Sequence, residues 1–145
     1  MNEAYEINAP SVSGEIIDGE AIVLHLRKGT YFSMEGSAAL IWAGVEQRMT
    51  TASIAEALAG RFGIDAAEAL RESRRLVNEL LAVDLIRPAS AQAGNAPIGE
   101  MIPVTIAYAP PVLETFSDMQ DLLLLDPIHE VDDAGWPMAP RQAQA

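Results

Sequence analysis

Alternating positions near the start of the chain predict a β-meander. In Glu20–Leu26, one face carries Ile22, Leu24 and Leu26 and the other carries Ala21, Val23 and His25. The preceding Asp18-Gly19 is a strong signal for a two-residue hairpin turn. We therefore expect His25 to be a partly exposed sheet residue. The predicted antiparallel strands are Val12–Ile17, Glu20–Leu26 and Thr30–Met34.

Beyond these strands, hydrophobic residues recur every three or four positions, which predicts three helices. Trp42 has the spacing of a core anchor in the first helix. The first helix opens at Gly36-Ser37, the second is capped by Thr50 or Thr51 and ended by Gly63, and the third runs from Asp65 to about Ala82. The pattern predicts an α+β domain of winged helix-turn-helix type, with a three-stranded antiparallel sheet packed on three helices and a C-terminal extension.

The composition changes after Pro88. The stretch up to Pro97 has neither charge nor periodicity, which is typical of a linker. We therefore divide the chain into a domain (1–88), a linker (89–107) and an acidic tail (108–145). Ser117 can cap a short helix in the tail that carries Leu122–Leu125.

Charge and composition narrow the classes of function. The chain has 145 residues and no cysteine, which excludes disulfides, thiolate metal sites and a cysteine nucleophile. Its net charge is −12, with 13 acidic and 8 basic residues in 1–87 and 8 acidic residues against one arginine in 88–145. Such a chain is a poor ligand for nucleic acid. No apolar run approaches the roughly 20 residues of a membrane span, and we see no secretory signal. These features predict a soluble cytoplasmic protein without a membrane partner.

Signals for catalysis are nearly absent. The sequence has neither a glycine-rich phosphate loop nor a His-Glu-x-x-His pattern. Ser53 and Ser73 have no recognisable base partner, and His129 lies in an acidic segment that we interpret as solvated. We therefore expect no enzyme activity, no catalytic residue, no metal and no cofactor.

The third predicted helix carries the most suggestive charges, Arg71, Arg74 and Arg75. One interpretation is a solvated face with local ion pairs such as Glu72–Arg75. The other is a positive rim beside a groove between this helix and the Thr30–Met34 strand. That strand has an outer edge without an obvious partner in the first 90 residues, and an unpaired edge is either protected or used.

Three segments in this order resemble the PqqD-like family: Glu15–Leu24, Gly29–Trp42 and Ile54–Leu58. Members are the recognition elements for precursors of ribosomally synthesised, post-translationally modified peptides. The resemblance covers roughly residues 10–87. It implies three strands on three helices, no activity of its own, and a leader peptide bound as an added strand along the third strand and against the third helix. The implied peptide-binding residues are Thr30, Tyr31, Phe32, Ser33, Met34, Arg71, Arg74, Arg75 and Asn78.

The tail carries a second resemblance. Tyr108, Pro111 and Leu113 match the Tyr-x-x-Pro-x-Leu motif in leaders of lasso-peptide precursors, although a threonine at a leader–core junction is missing. We predict that Tyr108–Leu113 pairs with the Thr30–Met34 edge as an added strand.

These observations favour a non-catalytic peptide-binding accessory protein in the biosynthesis of a modified peptide. Its expected partners are a precursor or leader peptide, in trans or as its own tail, and a peptide-modifying enzyme. One alternative is a precursor fused to its own recognition domain, with the tail from residue 108 as substrate. Others are a winged-helix DNA-binding regulator and a structural adaptor. A tail-swapped homodimer is also compatible with the sequence.

Overall fold

The predicted hairpin and helix caps are present in the computed structural model, which describes residues 3–89 and 97–116. Three helices were predicted, and three α-helices are observed: α1 (Ser37–Glu46), α2 (Thr51–Phe62) and α3 (Ala66–Ala82). The strands are β1 (Tyr5–Ile7), β2 (Val12–Ile17), β3 (Glu20–His25), β4 (Thr30–Glu35), β5 (Ile86–Pro88) and β6 (Glu114–Phe116). A 3-10 helix spans Ile98–Met101. The predicted short helix after Ser117 and the acidic segment around His129 lie outside the described residues.

The main sheet is antiparallel and has the strand order β2-β3-β4-β6. Asp18 and Gly19, with φ of 53° and 82°, form the tight turn between β2 and β3. The inward face of the sheet carries buried side chains that pack on α1, among them Val23, Phe32 and Met34. Because β4 directly precedes α1, this packing fixes β4 against the core.

The prediction of a three-stranded sheet is wrong, because the tail adds β6 as a fourth strand. In this pair Tyr31 lies opposite Phe116 and Ser33 lies opposite Glu114. The added strand therefore starts after the Tyr108–Leu113 segment that was predicted to form it. Pro110 and Pro111 account for the difference, since proline has no amide hydrogen to donate to a ladder.

A second sheet joins the start of the domain to its end. Strands β1 and β5 pair antiparallel, with Glu6 opposite Arg87. The Arg87 Nε atom donates to Glu6 Oε2 at 2.8 Å. Strands of three residues leave little periodicity, so this pairing is not evident from the sequence.

The first helix forms the centre of the core. Its residues from Ser37 to Val45 are all buried. Trp42 is fully buried, as predicted, and its Nε1 donates to Glu46 Oε2 at 3.2 Å. Gly14 of β2 makes room for the indole, because a Cβ there would lie 3.2 Å from Trp42 Nε1. No helix among the described residues combines the length and hydrophobicity that a membrane crossing requires.

His25 is buried, with 1% of its surface exposed, so the prediction of a partly exposed residue is wrong. It shares the inward face of β3 with Ala21 and Val23, and strand alternation points it at the core. Its Nε2 atom lies 3.2 Å from Asp84 Oδ2, at the end of α3.

The described part of the predicted linker packs on the domain. Ile98 and Ile102 are each 1% exposed and belong to the hydrophobic core. Ile106 follows four residues later and is half-buried. The isoleucines recur every four residues, which indicates a segment that packs on the domain. The uncharged stretch before them led to the prediction of a linker instead. The domain boundaries remain predictions.

Candidate functional site

A groove runs between the outer edge of β4 and the face of α3; residues 108–116 lie along it, and residues 97–106 approach it across α1 and α2. We call residues 97–106 the anchor segment and residues 108–116 the groove segment. The two are continuous in the chain but contact the domain differently.

The anchor segment is held by core packing and by hydrogen bonds from α2. Ile98 and Ile102 enter the core beside α1 and α2. From α2, the guanidinium group of Arg61 donates to the carbonyl oxygens of Ile102 at 3.4 Å, of Pro103, and of Ile106 at 3.1 Å. One arginine therefore caps three carbonyl groups of a segment without regular secondary structure after its 3-10 turn.

Two glycines leave room for the anchor segment. Gly19 and Gly36 both have positive φ, 82° and 58°, which favours glycine. A Cβ at Gly19 would lie 2.8 Å from atoms of both Pro103 and Ile106, and one at Gly36 would lie 3.3 Å from Ile106. Both the positive φ angles and the close approach of the anchor segment therefore favour glycine at these two positions.

The groove segment begins with an aromatic contact to α2. The rings of Tyr108 and Phe62 pack edge to face, with centroids 5.6 Å apart. The Tyr108 hydroxyl is buried without a hydrogen-bond partner among the described residues. Burial raises the pKa of the phenol, and the nearby Glu68 and Glu72 raise it further against the opposing effect of two arginines.

The backbone of the groove segment is held by two side chains. Ser37 Oγ, at the start of α1, donates to the carbonyl oxygen of Ala109 at 2.6 Å. Arg75 Nη2, on α3, donates to the carbonyl oxygen of Pro111 at 2.5 Å. Pro111 is buried and Leu113 is half-buried against the core.

Arg75 is itself oriented by two carboxylates of α3. Its Nε donates to Glu72 Oε1 at 2.9 Å and its Nη1 donates to Glu79 Oε2 at 2.7 Å. Its positive charge is therefore balanced within the helix, and the N–H group that faces the groove bonds a backbone carbonyl. In the structure, this arginine therefore contacts the main chain of the groove segment through Nη2.

The groove segment ends as β6. The rings of Tyr31 and Phe116 stack on the outer face of the sheet, with centroids 4.6 Å apart and planes inclined by 13°. A cross-strand aromatic pair of this kind adds to the ladder hydrogen bonds.

The five β4 residues predicted to bind peptide have two different roles in the structure. Phe32 and Met34 are core side chains, while Tyr31 faces outward beneath Phe116. Ser33 also faces outward, and its hydroxyl donates to Glu20 Oε2 at 2.9 Å. The Thr30 hydroxyl donates to the Lys28 carbonyl at 3.4 Å. The edge is therefore presented to the tail mainly through its backbone.

The four predicted α3 residues divide between two faces. Arg71 and Arg75 are near enough to Tyr108 to act on its ionisation. Arg74 and Asn78, one turn apart, instead line a cavity of about 100 Å³ beside β1. Sequence reasoning missed Ser37, Arg61 and Phe62, which contact residues 97–116 directly. Only Ser37 had a signal, since it lies in the Gly29–Trp42 segment that resembles the PqqD-like family.

Comparison with known proteins shows what the residues around this groove resemble. The model of the family described as coenzyme PQQ synthesis protein D (PqqD) matches residues 20–86. Residues 20–86, which include β4 and α3, are therefore similar to PqqD. The chain is also similar to the solved structure of TbiB1 in complex with the TbiA(beta) leader peptide, at 26% identity and a TM-score of 0.54. That similarity covers 59% of this chain and 99% of TbiB1. No curated protein matches the chain.

Proposed function

We propose that the chain is a non-catalytic accessory protein that binds the leader peptide of a ribosomally synthesised, post-translationally modified peptide. The leader adds to β4 as an antiparallel strand beside α3. The observation that carries this proposal is that an extended segment of the chain itself occupies this edge of a PqqD-like domain.

The contacts in the groove suit this task. Ladder hydrogen bonds, an N–H group of Arg75 and the hydroxyl of Ser37 bind main-chain atoms, so they supply affinity for any extended peptide. The space beside Phe62 accepts an aromatic ring and thereby sets the register. The leader peptide in the TbiB1 complex supports the same class of ligand. A peptide-modifying enzyme is the partner that this function requires.

A second candidate function is a precursor fused to its own recognition domain. It is supported by the docking of Tyr108, Pro111 and Leu113 in the groove of the same chain. In this case the tail from residue 108 is the substrate. Mass spectrometry of the protein from its native host distinguishes the two functions, because only a fused precursor carries modified or trimmed residues there.

A winged-helix DNA-binding role is less favoured. The net charge of −12 repels phosphate, and the charge of Arg75 is balanced by Glu72 and Glu79. The carbonyl oxygen of Pro111 also occupies one N–H group of this arginine.

Fluorescence polarisation tests the peptide-binding function. The probe is a labelled peptide of residues 105–116, and the protein is the full chain with Tyr108→Ala and Phe116→Ala, which weaken its own groove segment. We expect saturable binding of this probe and little binding of a matched probe in which the tyrosine and leucine are alanine. Equal binding of the two probes, or no binding by a folded protein, contradicts the proposed function.

A further inference from the structure

We propose that residues 97–116 act as two parts, a fixed anchor segment and a groove segment that exchanges with peptides arriving in trans. The inference rests on the proposed function and concerns how the same groove is regulated. The protein carries its own competitor, and a leader peptide binds by displacing it.

The anchor segment has the contacts of a permanent element. Removing Ile98 and Ile102 from their sites would expose core residues of α1 and α2. It would also break the hydrogen bonds of Arg61 to three carbonyl groups. Such a segment leaves only when the core opens.

Parts of the groove segment remain exposed to solvent, and its strand is short. Val112 is 59% exposed and Phe116 is 41% exposed, and the strand that it adds is three residues long. A cavity of about 580 Å³ lies between this segment and the end of β4, lined by Ser33, Glu35, Pro110, Val112 and neighbouring residues. Departure of the groove segment uncovers a strand edge and an aromatic site without removing any fully buried isoleucine.

The contacts left behind remain ready for another peptide. Glu72 and Glu79 continue to orient Arg75 after Pro111 leaves, because both carboxylates lie on the same helix as the arginine. Ser37 is fixed at the start of α1 and needs only a carbonyl oxygen as its acceptor. An outside peptide therefore meets the same donors that the groove segment used.

Attachment to the anchor segment favours the groove segment in this competition. Only Ala107 separates the two, so the competitor is confined beside its site at an effective concentration in the ~mM range. We expect this confinement to weaken the apparent affinity for a trans peptide by at least about tenfold.

Two measurements on the full chain test the exchange. The first is polarisation with the labelled peptide of residues 105–116, comparing wild type with the Tyr108→Ala/Phe116→Ala variant. The second is amide hydrogen exchange of both proteins, resolved for residues 30–35 and 97–106. Phe116→Ala alone serves as a milder variant if the double variant is unstable.

We expect the variant to bind the probe at least about tenfold more tightly than wild type. Its β4 amides should exchange faster while residues 97–106 keep their protection, and added peptide should restore the protection of β4. Loss of protection in 97–106 together with β4 shows a single cooperative segment and overturns the inference. Equal affinity of wild type and variant also overturns it but leaves the proposed function intact, whereas absence of binding by both folded proteins rejects the proposed function itself.

Discussion

The ring and the hydroxyl of Tyr108 have opposite effects on docking of the groove segment. The ring gains an edge-to-face contact with Phe62, while the hydroxyl is buried without a partner among the described residues. A buried polar group without a hydrogen bond costs about 1–3 kcal/mol. The ring alone is therefore the favourable part of this side chain.

Substituting Tyr108 separates these two effects. We expect Tyr108→Phe to keep or improve docking by about 1 kcal/mol and Tyr108→Ala to weaken it by about 2 kcal/mol. Hydrogen exchange of β4 is the measurement. Faster exchange in the phenylalanine variant than in wild type would show that the hydroxyl has a partner.

The raised pKa of Tyr108 adds a pH dependence to the same test. For a phenol whose pKa is higher in the docked state, the contribution to docking is complete below the free value of about 10 and is lost as pH rises through the docked value. Docking of wild type should therefore weaken above about pH 10, and that of Tyr108→Phe should weaken less. The paired variant is needed because Tyr5 also has a raised pKa.

Arg75 and Arg71 form a matched pair for testing backbone recognition. Arg75→Ala removes the donor to Pro111, and we expect peptide binding to weaken by about 1.5–3 kcal/mol. Arg71 is exposed, so Arg71→Ala should change binding by less than about 0.5 kcal/mol. Calorimetric titration of acidic and neutral peptides checks the cause. A loss confined to acidic peptides would indicate recognition of side-chain charge instead.

At the scale of elements, two helical glycines differ in their surroundings. A Cβ at Gly44 of α1 would lie 2.4 Å from Ile54 Cγ1, whereas one at Gly60 of α2 meets nothing within 4 Å. The first glycine permits close packing of α1 on α2, and the second leaves only the entropic cost of glycine in a helix.

The same substitution should therefore have opposite effects at the two sites. We expect Gly44→Ala to lower the free energy of unfolding by about 1–3 kcal/mol through overpacking. Gly60→Ala should raise it by about 0.5–1 kcal/mol. Urea denaturation of both full-length variants is the measurement, and a stabilised Gly44→Ala protein would show that the helices can separate without cost.

Elements with local signals were predictable, and those that depend on distant partners were not. The side chain of Thr50 accepts from the Ser53 amide and Asp65 accepts from the Ala67 amide, so the caps that begin α2 and α3 are read from adjacent residues. Strands β1 and β5 are three residues each and pair across about half the chain. The register of β6 is set by its pairing with β4, and the role of Arg61 in the site is set by the position at which Ile102 packs. Neither dependence leaves a periodic pattern.

At the scale of the whole molecule, the core extends beyond the predicted domain end at Pro88. A fragment of residues 1–88 should still unfold cooperatively, since Trp42 and Leu58 precede the cut, but at a lower denaturant midpoint than a fragment of residues 1–107. The difference reflects Ile98 and Ile102, because deleting a buried isoleucine side chain costs about 2–5 kcal/mol. Equal midpoints would mean that the anchor segment adds no stability to the domain.

The direction of β6 sets where the rest of the chain leaves the sheet. Since β6 runs antiparallel to β4, with Phe116 opposite Tyr31, the chain emerges towards Thr30 and the turn that carries Arg27 and Lys28. A chain extends by at most about 3.5 Å per residue, so in a peptide bound along β4 a position ten residues beyond the paired strand would lie within roughly 35 Å of that turn. A peptide that binds along β4 in the same direction would also leave the sheet at this turn. If the proposed function holds, an enzyme docked near the β3–β4 turn would reach target residues at a set distance along the bound peptide.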